Sequence, residues 1–209
     1  MTIKLIYVGD PLCSWCYGFG PQLEALLAER ADIKLSIVVG GLRAYEKEPM
    51  PATRKAEIGG YWERVSEMTG AAFAPLAAHN AMARDDFVYD TEPPCRAVVT
   101  ARTLDSAKAL PMYHAIQAAF YRDGRDVTQS DVLCEVAAEN DLDRAAFASA
   151  LDSEAMRAAT RADFETAAGW GIRGFPTLVI EHKGQLALLA SGYARTEELR
   201  ARLESVGDS

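Results

Sequence analysis

The apolar run Ile3-Lys4-Leu5-Ile6-Tyr7-Val8 ends at Gly9-Asp10-Pro11 and leads at once into Cys13-Ser14-Trp15-Cys16. A buried strand that turns straight into a helix, with another strand to follow, leaves few folds open. From Ser14 to Arg30 the spacing of Trp15, Phe19, Leu23, Leu26 and Leu27 gives an apolar helical face. Pro21 lies inside this pattern and cannot donate to the carbonyl of Tyr17, which predicts a kink after the first turn. Ile33 to Val39 reads as the second strand, ended by Gly40-Gly41. Two strands joined by a helix make a βαβ unit, with parallel strands and a right-handed crossover expected.

The cysteine pair sits at the junction of the first strand and the first helix. Two cysteines at this spacing can interchange dithiol and disulfide. The first is expected to face solvent at the helix N-terminus, where unpaired backbone N–H groups and the helix dipole favour a thiolate. The same spacing is also half of a zinc site. Two further ligands would have to come from His79, His114, His182, Cys95 or Cys134, and none of these has paired metal spacing.

Between about Tyr45 and Gly169 the chain is rich in Ala and helix formers, with almost no β-branched run. Helical periodicity marks Ile58 to Met68, Cys95 to Leu104, Met112 to Tyr121, Val132 to Asn140 and Arg144 to Leu151. Breaks fall at Gly70, Pro93-Pro94, Asp123-Gly124 and Asn140-Asp141. The strand pattern then returns in Thr177 to Glu181 and Leu186 to Ala190, joined through His182-Lys183-Gly184-Gln185, a hairpin signal. Thr196 opens a last helix and is expected to cap it. The organisation predicted is one domain from residues 1–44 and 166–209, with an all-helical insertion over residues 45–165.

Composition narrows the function classes. A net charge of −8 without any basic cluster argues against a nucleic-acid or anionic-membrane surface. No stretch approaches the roughly 18 apolar residues that a transmembrane helix needs. Met1-Thr2-Ile3-Lys4-Leu5 shows no basic, apolar and cleavage regions of a secretory signal, which points to the cytoplasm. A chain from which a signal had been removed would read the same. In a reducing compartment, a close pair among only four cysteines is more often catalytic or metal-binding than structural.

A CxxC after the first strand of a βαβ unit, then a proline before a β-hairpin and a final helix, resembles the thioredoxin fold. The second marker is Gly171-Ile172-Arg173-Gly174-Phe175-Pro176-Thr177, similar to the segment in which thioredoxin-like proteins place a cis-proline beside the active disulfide. The helical insertion between the βαβ and ββα halves is the arrangement of the DsbA family. Asp10-Pro11-Leu12-Cys13-Ser14-Trp15-Cys16-Tyr17-Gly18-Phe19, Gly40-Gly41-Leu42-Arg43 and Pro94-Cys95-Arg96-Ala97 are similar to its FrnE-like branch. The resemblance implies an α/β, thioredoxin-like fold and an intracellular dithiol–disulfide oxidoreductase acting on protein or peptide thiols and disulfides. It implies Cys13 as nucleophile and Cys16 as the inward-facing resolving thiol. Pro176, in the cis form, would present the backbone of Phe175 to a substrate strand. Trp15, in the middle of the CxxC loop, reads as a substrate-contacting aromatic or as a plug over the helix N-terminus, and Ser14 beside it as a substrate contact. No cofactor beyond the redox disulfide is implied; a small-molecule or protein reductant is needed, and glutathione is compatible.

Two departures set this chain apart from strongly oxidising relatives. Ser14-Trp15 offers no His beside Cys13, so its thiolate is less stabilised and its disulfide a weaker oxidant. The buried acid often found six residues before the first cysteine is here Tyr7, and Asp10 is expected in the loop. Both favour a reductase or isomerase over an oxidase. Cys95 reads either as a small buried residue or as an auxiliary thiol with its pKa lowered by a helix start; Cys134 reads as core. Two other classes stay open. A glutathione-dependent isomerase or transferase of the kappa type shares this inserted fold, though it typically carries Ser where Cys13 stands. A binding or chaperone module switched by its disulfide would carry the same motif.

Overall fold

A computed structural model describes residues 3–76 and 79–207. The outermost residues of the two terminal segments, Met1-Thr2 and Asp208-Ser209, lie outside this range. β1 (Ile3–Gly9), α1 (Ser14–Glu29) and β2 (Ile33–Val39) form the expected βαβ unit, with β1 and β2 parallel. α1 runs unbroken through Pro21. The helical part comprises α2 (Ala52–Thr69), α3 (Glu92–Leu104), α4 (Ala109–Gln117), α5 (Ser130–Glu139), α6 (Arg144–Leu151) and α7 (Glu154–Gly169). Pro93 and Pro94 fall in the first turn of α3, where a missing N–H costs nothing. α4 passes directly into a wider π-type turn over Ala118–Arg122.

β3 (Thr177–His182) and β4 (Gln185–Ser191) return as an antiparallel hairpin, and α8 (Thr196–Gly207) closes the chain. Lys183 and Gly184, both at positive φ, make the two-residue turn between them. The sheet order is β2-β1-β3-β4, with β1 antiparallel to β3. This is a thioredoxin-like fold with helices inserted between its two halves, as expected. Thr196 differs from its expected capping role. Its hydroxyl and amide bind Gln22 of α1, fastening the last helix to the first.

The helical part is keyed to the sheet rather than hung from it. β2 is an edge strand, and an edge leaves backbone groups unpaired. Asp163 of α7 accepts from Val39 N at 3.0 Å, and Arg102 of α3 donates to Ile37 O. The two side chains also pair with each other at 2.9 Å. α7 runs across residues 165 and 166, and one apolar core joins Leu5 and Phe19 of the βαβ unit to Tyr113 and Phe120 of the helices. Among the described residues, no helix is long and apolar enough to cross a membrane.

Candidate active site

β1 delivers the chain to a tight loop, and Asp10 organises it. Its side chain is fully buried and accepts from Leu12 N at 2.8 Å and from Leu42 N at 2.6 Å. One carboxylate thus ties the loop before the cysteines to the segment after β2. Burial pushes the Asp10 carboxyl up, while the two amides oppose that shift. Asp10→Ala would leave the buried Leu12 amide and the part-buried Leu42 amide without this partner, at about 1–3 kcal/mol for the first and less for the second. Urea denaturation should therefore show a loss of about 2–4 kcal/mol.

Cys13 is the residue that caps α1, and Cys16 lies one turn on. Cys16 is fully buried, as expected of an inward-facing thiol. Cys13 differs from expectation: it is only 6% exposed, not open to solvent. Leu12, Tyr89 and Phe175 close around it, two of them brought from distant parts of the chain. It opens onto a cavity of about 640 Å³ whose walls include Ser14, Trp15, Arg43, Trp62 and Phe175. Ser14 and Trp15 are half-buried on that wall, and Trp15 leans on Tyr193 with ring centroids 6.3 Å apart.

The Phe175–Pro176 peptide bond is cis. It sets the Phe175 carbonyl 3.5 Å from Cys13 Sγ, within reach of the thiol proton. The Phe175 ring occupies the space over Gly40, where a Cβ would come within 2.0 Å of it. The residues named from the sequence, Cys13, Cys16, Ser14, Trp15, Phe175 and Pro176, therefore meet at one place. All four cysteines are free thiols.

The Cys13 and Cys16 thiols act on each other, and their pKa values are pushed in opposite directions. Hydrogen bonding to Cys16, followed by burial, holds the Cys13 thiol well above its usual range. The Cys16 amide, turned back toward Cys13 from the first helical turn, opposes this. Burial also penalises the Cys16 thiolate, but hydrogen bonds from Cys13, Tyr7, the Asp10 amide and Tyr113 outweigh it, and its pKa falls. This reverses the sequence expectation of a thiolate favoured at Cys13. The helix terminus acts on Cys13 alone, whereas several donors converge on Cys16.

Tyr7 stands where a buried acid was looked for. Its hydroxyl lies 3.3 Å from that of Tyr113, both rings fully buried. Gly9 makes the room: a Cβ there would come within 2.6 Å of the Tyr113 hydroxyl and 2.9 Å of the Tyr7 ring. Burial raises both hydroxyls well above their ordinary range, so they remain protonated donors. By its helical spacing Tyr113 reads as a core position or as one lining the groove that faces Cys13, and the structure buries it fully. Nothing in its local sequence marks it, because its partner lies 106 residues away.

Cys95 is fully buried, and its thiol donates to Asp10 Oδ2 at 3.5 Å. Burial, with the neighbouring Asp10 charge, raises its pKa, contrary to the lowering that a helix start suggested. Cys134 is in the core, as read. Among the described residues, no cluster of three or more His, Cys, Asp or Glu side chains could hold a metal ion.

The chain matches a family model described as a DSBA-like thioredoxin domain over residues 4–204. Among solved structures it is similar to a candidate protein disulfide isomerase from Nitrosomonas europaea, at 34% identity and a TM-score of 0.90, covering 100% of this chain and 98% of that one. It is also similar to the cytosolic disulfide reductase DsbM from Pseudomonas aeruginosa, at 30% identity and a TM-score of 0.81, covering 98% of each chain. A structure of DsbM with GSH aligns at 29% identity with a TM-score of 0.78, covering 99% of this chain and 100% of that one. A search of curated protein sequences returned no match.

Proposed function

The chain belongs to the family of DSBA-like thioredoxin domains, whose members are disulfide oxidoreductases and isomerases, and from that footing we propose that it reduces disulfides of protein or peptide substrates through Cys13 and Cys16. The observation that carries this reading is the placement of the pair. Cys13 meets the cavity beside Phe175 and Pro176, and Cys16 waits beneath it with no exposure.

In the proposed reaction Cys13 passes its proton to the Cys16 sulfur as it attacks a substrate disulfide. The substrate S–S bond breaks, one substrate thiolate leaves, and a mixed disulfide with Cys13 forms. That thiolate takes the proton now on Cys16. The Cys16 thiolate then attacks the Cys13 sulfur, expelling the second substrate thiolate, which is protonated by water. The protein dithiol becomes a disulfide as one substrate disulfide becomes two thiols. Tyr7 and Tyr113 hold Cys16 as the anion that this second attack needs.

The direction follows from which redox form the site stabilises. Strong oxidants of this fold class owe their potential to a stabilised reduced form. Here the Cys13 thiol is held above the usual range, and Asp10 adds a negative charge nearby. The raised Cys13 thiol favours the disulfide form and hence reducing power, with the lowered Cys16 thiol working against it. Glutathione is the proposed reductant that restores the dithiol, and the cytoplasm the proposed compartment, in keeping with the description of DsbM. Equilibration of the protein with glutathione redox buffers tests the direction. The potential expected lies nearer to about −270 mV than to about −120 mV. A value at the oxidising end would overturn the reductase reading.

A further inference from the structure

The cavity over Cys13 contains a cation that the chemistry above does not use. Arg43 lies on the segment after β2, on the cavity wall that also bears Cys13, Trp15 and Phe175. Its backbone is pinned on both sides to Thr91, donating to Thr91 Oγ1 at 3.1 Å and accepting from Thr91 N at 3.4 Å. Its guanidinium sits 5.7 Å from the centre of the Tyr89 ring, a cation–π contact. Tyr89 is itself fixed, its hydroxyl donating to Leu12 O at 2.5 Å. The arginine is therefore held by the same tyrosine that braces the residue before Cys13.

No carboxylate forms an ion pair with Arg43 among the described residues. The other cation on the wall, Arg54, is already engaged by Glu57 at 2.6 Å. In a chain of net charge −8, an arginine fixed at the mouth of the reactive thiol without an acidic partner runs against the general field. A guanidinium offers a planar fork of donors that matches a carboxylate, and part of the groove around it is apolar, lined by Trp15, Ile58 and Trp62. A cavity of about 640 Å³ is of a size that admits a short peptide or a small disulfide.

We propose that Arg43 is the anion-recognition residue of the groove, selecting disulfides that carry a carboxylate close to the reacting sulfur, with glutathionyl disulfides as the type. The proposal rests on the oxidoreductase reading above and specifies which substrates it prefers. Glu46, on the same wall, is placed to meet the ammonium of such a zwitterionic ligand. Arg43 thus acts on binding, while Cys13 and Cys16 carry the exchange.

The test uses the full chain, reduced beforehand, and follows its oxidation in a single turnover by three disulfides. Glutathione disulfide is anionic, hydroxyethyl disulfide neutral and cystamine cationic. Wild type is expected to react fastest with glutathione disulfide. In Arg43→Ala the ratio of its rate constant to that for hydroxyethyl disulfide should fall about tenfold to a hundredfold, the loss of one charge-assisted contact. Arg43→Lys should recover part of that ratio, and Arg43→Glu should shift preference toward cystamine. An equal loss with all three disulfides, or no change in the ratio, overturns the proposal. If wild type oxidises with none of the three, the oxidoreductase reading itself fails, and this one with it.

Discussion

Replacement of Cys13 by Ser is expected to bring the reduction of insulin disulfides down to the buffer background, whereas Cys16→Ser should run the first exchange and stop. Only Cys13 reaches the cavity, so no other thiol can replace it as the attacking group. Cys95 and Cys134 are buried, and Cys95 is held on Asp10. In Cys16→Ser the mixed disulfide has no resolving partner, and mass spectrometry should find the substrate attached through Cys13. The same variant also tests the sharing of the proton. Hydrogen bonding to Cys16 is the main cause of the raised Cys13 pKa. Without it, the thiolate absorbance of Cys13 should appear at lower pH than in wild type, and alkylation at neutral pH should be faster. Full turnover by Cys13→Ser would sink the assignment, and an upward move of the Cys13 titration in Cys16→Ser would sink the shared proton.

The contrast between these two thiols shows which parts of the site the sequence could disclose. The strand that feeds the CxxC, its helix and the hairpin after Pro176 are local patterns, and each was legible in its own stretch. The inserted helices were legible as periodicity, except α7, whose Ala-rich face gave little contrast and whose anchoring contact, Asp163 with Val39, spans 124 residues. The resemblance brought the Phe175 backbone to the site of Cys13, but it did not disclose that the thiol itself would be only 6% exposed. Asp10 read as a turn residue in Gly9-Asp10-Pro11. Its role depends on Leu42 and Cys95, which a linear reading does not bring to it. A stabilised thiolate at Cys13 followed from helix-terminus physics alone. That physics is present in the Cys16 amide, but it is outweighed by groups that converge only after folding.

Tyr7 and Tyr113 give the second large effect, on resolution rather than on attack. Each change to Phe removes one hydroxyl and preserves the ring, so the packing around Cys16 stays filled and the fold should hold. The donor lost is one that faces a buried thiolate, and hydrogen bonds to charged groups are worth about 1.5–3 kcal/mol. Tyr7→Phe should therefore slow the collapse of the mixed disulfide by about tenfold to a hundredfold. Tyr113→Phe should act in the same direction but less, because the Cys16 thiolate draws more on Tyr7. The two hydroxyls also contact each other at 3.3 Å, so the double variant should lose less than the product of the single losses. Rapid acid quenching after mixing with glutathione disulfide gives the lifetime of the mixed disulfide, and thiolate absorbance gives the titration of Cys16. Both should move together, the lifetime lengthening as the Cys16 titration shifts to higher pH. Lost stability with an unchanged lifetime would mean that the tyrosines only fill space. A longer lifetime with an unshifted titration would mean that they place the sulfur without holding its charge. Because both hydroxyls are raised by burial and stay protonated, they can donate to the Cys16 thiolate but cannot take the proton of the Cys16 thiol. An acid at this position would both give and take a proton. A tyrosine pair only stabilises the anion, which leaves the first substrate thiolate to carry the proton away.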